Sequence, residues 1–145
     1  MHTNGFLDPK TILSGAKMKA TKARLSVIKA LQARREPITV SELKRTSTKK
    51  IDVATLYRIL EQCVAAGLVA RVDFQHDHAH YELAVGRKHH HHIICTECGV
   101  SEDIDSCHAQ NLEKKVLRES KDFTTLTHHS LEFFGNCNRC QVKIK

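Results

Sequence analysis

Between residues 21 and 33 apolar side chains recur at helical spacing. "TKARLSVIKALQA" puts Leu25, Ile28 and Leu31 on one stripe, with Thr21 placed to cap the first turn. Pro37 then breaks the pattern, since it has no amide to continue a helix. In "TVSELKRT", Thr39 and Glu42 have the spacing of a capping box and predict a short second helix. Past the polar "TSTKK", Asp52 can cap a third helix, "VATLYRILEQCVAAG". Its buried side is expected to carry Val53, Leu56, Leu60 and Val64, widened by Ile59 and Cys63, with Gly67 ending it. Residues 1–16 are read as a lead-in with no assigned element.

The period then shortens to two. "LVARVDF" and "AHYELAV", separated by the polar "QHDH", predict the two strands of a hairpin. Three helices and a hairpin make a winged helix, whose third helix enters the major groove of DNA. The exposed face of that helix offers Thr55, Tyr57 and Arg58, with Lys49 and Lys50 near its start for phosphates. "GRK" at 86–88 is a short polar hinge. Beyond it, "HHHHIIC" and a strand over residues 100–104 flank a Cys-x-x-C pair. Ser106 can cap a helix running to about residue 120, with Ala109, Leu112 and Val116 on its apolar side. "TTLTHHSLEFFG" reads as a strand leading into a second Cys-x-x-C. The expected fold is α+β. A winged-helix DNA-binding domain spans residues 1–84, a hinge 85–89, and a small α/β domain 90–145.

Charge and histidine follow the same division. Residues 1–72 hold 14 Lys/Arg against 5 Asp/Glu, whereas residues 73–145 hold 9 against 11. Ten of the eleven histidines lie at or beyond His76. The first half therefore suits a polyanion and the second suits cations. No stretch approaches the roughly 18 apolar residues of a membrane span, and the N-terminus lacks a signal-peptide core, so the cytoplasm is the expected location. In such a setting six cysteines argue for metal over a disulfide framework.

Cys95, Cys98, Cys137 and Cys140 form two Cys-x-x-C knuckles with 38 residues between Cys98 and Cys137. Two such turns can close a tetrahedral zinc shell of four thiolates, which leaves no open position and so reads as structural. Redox disulfides and buried free thiols are the competing readings. Cys63 falls on a helical apolar stripe and reads as core, and Cys107, near acidic residues, is left unassigned.

Four consecutive histidines could mark an expression tag, but this run continues directly into Ile93, Ile94 and Cys95, which favours a strand. Alternation on a strand sends His90 and His92 one way and His89 and His91 the other. In "HDHAHYE" the same parity groups His78, His80 and Glu82. One candidate metal site at the hinge is thus His90 and His92 with Glu82, His80 and Asp103. A second comprises His89, His91, Glu113 and His129. Nitrogen and carboxylate donors suit zinc, iron or manganese without selecting among them. A hydrogen-bonded core histidine is the competing reading for His129, and exposed loops are favoured for His76 and His108.

These residues resemble the ferric uptake regulator family of metal-sensing bacterial repressors. "ATLYRILEQCVAAGLV" resembles its recognition helix, and "HHHHIIC-x-x-CG" with the distal Cys-x-x-C resembles its metal-binding half; the likeness runs from about residue 15 to 140. It implies a homodimer, a C-terminal dimerisation domain, and binding to double-stranded DNA at AT-rich inverted repeats overlapping promoters. By position it implies that Tyr57 and Arg58 contact DNA, that Glu82, His90 and His92 sense metal, that His89, His91, Glu113 and His129 form a second site, and that the four cysteines hold structural zinc. One departure matters. Iron and peroxide sensors of the family add a histidine from the N-terminal domain, yet this chain has none between Thr3 and Gln75, and the corresponding region reads "PITV". The remaining donors there are His80, Asp73 and Asp103. Zinc sensors often carry a hinge cysteine, which is also missing, so the sensed metal stays open between zinc and iron.

The function expected is a metal-dependent repressor of metal-uptake or metal-homeostasis genes, not an enzyme, with no small-molecule substrate. A zinc-dependent hydrolase would need an open coordination position and a base such as Glu82. A metal-buffering protein would have no use for Tyr57 and Arg58 on a capped helix.

Overall fold

Side-chain caps decide where the helices of the first half begin. The computed structural model describes residues 7–48, 50–75, 77–105, 107 and 109–141, arranged as two compact units, one ending at Arg87 and the other beginning at Lys88. In the first unit α1 (Pro9–Gly15), α2 (Lys22–Gln32), α3 (Val40–Thr46) and α4 (Val53–Ala65) start behind Asp8, Thr21, Thr39 and Asp52. Each cap side chain accepts an otherwise unpaired first-turn N–H. The capping box is complete, because the Glu42 carboxylate also accepts the Thr39 N–H at 2.8 Å. Helix α1 falls in the stretch read as a lead-in. Its signal was Asp8 followed by Pro9, since proline tolerates the first turn, where no N–H is needed.

Gly67, at φ +73°, terminates α4. Its N–H donates to the Val64 carbonyl at 3.0 Å, and the Leu68 N–H donates to that of Cys63 at 2.9 Å. The chain then enters the wing. Strands β1 (Ile38–Thr39), β2 (Val69–Val72) and β3 (His80–Leu83) form an antiparallel sheet in the order β1-β3-β2. Leu13, Val27, Ile28, Leu43, Leu56, Leu60 and Cys63 are almost fully buried between helices and sheet, which fixes the helix-turn-helix against the wing.

The expected stripe on α4 needs correction. Leu56, Ile59, Leu60 and Cys63 are buried, but Val53 and Val64 are 42% and 37% exposed. At about 100° per residue the two valines lie roughly 70–90° from the centre of the buried arc. On α2, likewise, Val27 is fully buried while Leu25 is only partly so.

The second unit holds β4 (His91–Cys95), β5 (Ser101–Ile104), α5 (Ala109–Glu119), β6 (Glu132–Gly135) and α6 (Asn138–Gln141). The strand order is β5-β4-β6, with β4 antiparallel to β5 and parallel to β6. A parallel neighbour needs a crossover, and α5 lies within it. The last strand is shorter than expected, residues 124–131 lie outside it, and the second Cys-x-x-C opens into α6, which the sequence reading omitted. Of the expected stripe on α5 only Ala109 is buried; Leu112 and Val116 are exposed. Among the described residues the apolar core here is Ile94, Cys95 and Ala109, joined by the buried rings of His91 and His92. Ser106, the expected cap of α5, lies outside the described residues, as do Lys49, His76 and His108.

The burial pattern makes a direct prediction. Leu60→Ala should destabilise the first unit by about 2–5 kcal/mol, whereas Val64→Ala should cost less than about 1 kcal/mol. Urea unfolding followed by far-ultraviolet circular dichroism separates the two, and equal losses would restore the symmetric stripe.

Candidate metal centres and nucleic-acid surface

Register in the second sheet brings the cysteines together. Cys95 ends β4 opposite Gly135 of β6, and the Thr96 N–H donates to the Gly135 carbonyl at 2.9 Å, so the chain after β6 emerges beside the first knuckle. Gly99, at φ +73°, closes that knuckle with its N–H on the Cys95 carbonyl at 2.9 Å. The Cys140 N–H does the same for Cys137 at 2.9 Å. The four Sγ atoms lie within 4.8 Å of one another. Cys98 and Cys137 are 3.7 Å apart, well beyond the roughly 2.05 Å of a disulfide bond. A tetrahedral zinc ion with sulfur at about 2.3 Å has edges of about 3.8 Å. The donor set fits that ion.

Electrostatics point the same way. The Cys137 and Cys98 amides hold the Cys95 thiol down at about 6, and the Cys140 amide lowers Cys137. Cys140, hydrogen-bonded to the Cys98 sulfur and desolvated, is pushed up to about 12. Four adjacent sulfurs do not all ionise unaided, and a divalent cation supplies the missing charge. Cys63, by contrast, is fully buried and its thiol is raised by desolvation, as plain core requires.

Of the histidine run, His91 and His92 open β4 while His89 and His90 lie just before it, so the strand is shorter than the sequence suggests. His91 Nε2 lies 3.2 Å from His89 Nε2, which is in turn 3.1 Å from His129 Nε2. Cys107 Sγ joins them, 3.1 Å from His91 Nε2 and 3.7 Å from His129 Nε2. Glu113 stands outside this cluster, its Oε1 accepting from His129 Nδ1 at 2.6 Å. The sequence reading missed Cys107, which has no partner at motif spacing. Burial, reinforced by His89, pushes the His91 imidazole below its usual range and so keeps it in the neutral form that ligates metals.

His90 and His92 lie on the other side, with ring centroids 4.9 Å apart. His92 is buried; its Nδ1 meets Glu132 Oε2 at 3.1 Å, and its Nε2 lies 3.7 Å from Asp103 Oδ1 on the paired strand β5. Glu132 is a second residue the sequence reading missed, visible only once the parallel register is known. In the first unit, Glu82 is buried on β3 and accepts from Arg87 at 2.8 Å. His80 Nδ1 meets the His78 carbonyl at 3.1 Å and its ring packs on Phe74. Asp73 accepts the Gln75 N–H at 2.8 Å, which ties it into its own turn.

On α4, Tyr57, Arg58 and the preceding Lys50 are exposed. Thr55 is only partly so, and its hydroxyl donates to Asp52 at 2.6 Å. Its oxygen is left as an acceptor. Arg24 braces this helix by donating to Gln62 at 2.8 Å and to the Lys19 carbonyl at 2.9 Å.

Residues 15–134 match the model of the ferric uptake regulator family. The chain belongs to that family. It is 35% identical to the ferric uptake regulation protein of Legionella pneumophila over 134 residues, 89% of this chain and 96% of that one. The crystal structure of the Vibrio cholerae ferric uptake regulator superposes with a TM-score of 0.72 at 30% identity, covering 90% of this chain and all of that chain. A zinc-bound manganese uptake regulator superposes with a TM-score of 0.66 at 29% identity, over 90% of this chain and 99% of that one. Family membership makes the chain a metal-responsive transcriptional regulator and not an enzyme, so neither the hydrolase nor the buffering reading is favoured. No helix among the described residues is long and apolar enough to cross a membrane.

With so little apolar core, the second unit of this family member is expected to need the staple that a zinc ion on these four thiolates would supply. Cys137→Ser should release zinc and dissociate the protein into monomers. Metal analysis alongside sedimentation tests this, and a dimer with full zinc content would overturn the structural role.

Proposed function

We propose that this chain is a cytoplasmic, homodimeric repressor of metal-uptake or metal-homeostasis genes, switched on by a divalent ion at His90, His92 and Glu82. His80 or Asp103 completes the set. The observation that carries this reading is the pairing of His92, on the strand whose far end enters the cysteine knuckle, with His90 just before that strand, their rings 4.9 Å apart. Their donors suit zinc or iron(II), with manganese a further candidate. Glu82 is buried and already charge-compensated by Arg87. Exchanging guanidinium for a divalent ion keeps that carboxylate paired. The candidate ligands fall on both sides of residues 86–88 in the chain, so an ion that takes all of them favours one geometry of the joint by its differential affinity.

The second unit leaves Ile93, Leu112, Val116, Phe123, Leu126 and Phe133 exposed in the single chain. Pairing with a second copy covers such a surface, and two copies carry two recognition helices to an AT-rich inverted repeat. Tyr57 and Arg58 read the DNA while Lys49 and Lys50 hold phosphates. Thr55 contributes chiefly by holding the Asp52 cap.

Operator binding should therefore weaken steeply with salt, because basic side chains displace counterions. Arg58→Ala should lower operator affinity by about 1–3 kcal/mol and relax specificity at one base pair. An equal loss on random DNA assigns Arg58 to the phosphates instead.

Metal control is tested separately. His90→Ala and His92→Ala should abolish metal-dependent operator binding while zinc at the cysteines and the dimer persist. A full metal response in both variants would sink the hinge assignment.

A further inference from the structure

We propose that Cys107 is the fourth ligand of a second metal centre with His89, His91 and His129, and that Glu113 acts from outside it by orienting His129. The sequence alone favours Glu113 as the ligand. The geometry reverses the roles.

A tetrahedral ion with nitrogen at about 2.05 Å and sulfur at about 2.3 Å has N···N edges near 3.3 Å and N···S edges of about 3.6 Å. The cluster shows 3.2 and 3.1 Å between nitrogens, and 3.1 and 3.7 Å from Cys107 Sγ to nitrogen. All four donor atoms lie within 4.8 Å of one another.

The protons give an independent reason. His91 Nδ1 faces the Leu131 carbonyl at 3.0 Å, and His129 Nδ1 faces the Glu113 carboxylate at 2.6 Å. Both partners accept only, so each Nδ1 carries the hydrogen, and each ring in its ligating form turns a bare Nε2 inward. His89 Nε2 has one hydrogen at most and faces both lone pairs. The four contacts among these atoms share at most two hydrogens, one on His89 Nε2 and one on Cys107 Sγ, so lone pairs are left facing each other and a cation resolves the mismatch. A carboxylate or carbonyl on the far ring nitrogen is the usual outer partner of a ligating histidine. Glu113 is so engaged. Cys107 Sγ is meanwhile held in place by the Ala109 N–H at the start of α5, at 3.4 Å.

Three imidazoles and a thiolate form a softer set than three imidazoles and a carboxylate. The centre should therefore prefer zinc to manganese or iron(II). None of its ligands belongs to the cysteine knuckles or to the His90–His92 face, so it stands apart from the switch proposed above.

The test uses full-length protein with zinc retained at the cysteine knuckles and the remaining sites emptied by mild chelation. Cobalt(II) titration should produce a thiolate-to-cobalt charge-transfer band, with zinc content constant. Cys107→Ser should lose the band and keep the zinc. Glu113→Gln should keep the band with cobalt affinity lowered about 10–100-fold. A band that survives in Cys107→Ser overturns the proposal, as does a Glu113→Gln protein that loses cobalt while Cys107→Ser binds it normally. A readout without variants is alkylation of the wild-type thiol. Iodoacetamide should label Cys107 in the chelated protein, and added zinc should protect it. Equal labelling with and without zinc also overturns the proposal.

Discussion

The parallel pairing of β4 with β6 is the constraint on which the second unit rests. Its register sets Cys95 against Gly135 and His92 against Glu132. A shift by one residue would turn every histidine to the opposite face and pull the two cysteine knuckles out of reach of each other. The pairing is non-local, joining segments about 40 residues apart, so its loop entropy must be offset by something strong. Apolar burial is not enough here, because few described apolar side chains of this unit are buried. The register positions the four cysteines, and metal–ligand bonds at that donor set would in turn stabilise the register.

Much of the first unit was legible because its signals are local. Caps at Thr21, Thr39 and Asp52 and a terminating Gly67 each act within four residues, so the one-dimensional pattern contains them. The stripe on α4 was only half right, since burial depends on which neighbours a helix meets, and the sequence does not state this. Helix α1 was overlooked because one short capped turn sequence carries little periodicity.

The candidate metal ligands divided along the same line. Parity on a strand sufficed to separate His89 and His91 from His90 and His92. The proposed exchange of Glu113 for Cys107 was invisible, because Cys107 lies just before α5 and Glu113 within it, and only side-chain geometry shows which of them reaches the inward-facing imidazole nitrogens. Glu132 was hidden for a related reason: its neighbour across the sheet is set by a parallel crossover.

The two-residue strand β1 has an outsized mechanical effect. Thr39 pairs with His80 in the wing and also caps α3, so one residue fastens the hairpin to the helix-turn-helix. Through this clasp, and the Arg24 brace on α4, the reading head is stiff before it meets a partner. A stiff head loses little conformational entropy on docking, so more of its contact energy remains as affinity. Stiffness has a converse too: such a head is poorly suited to being bent from within, and control is more readily exerted on where it is carried.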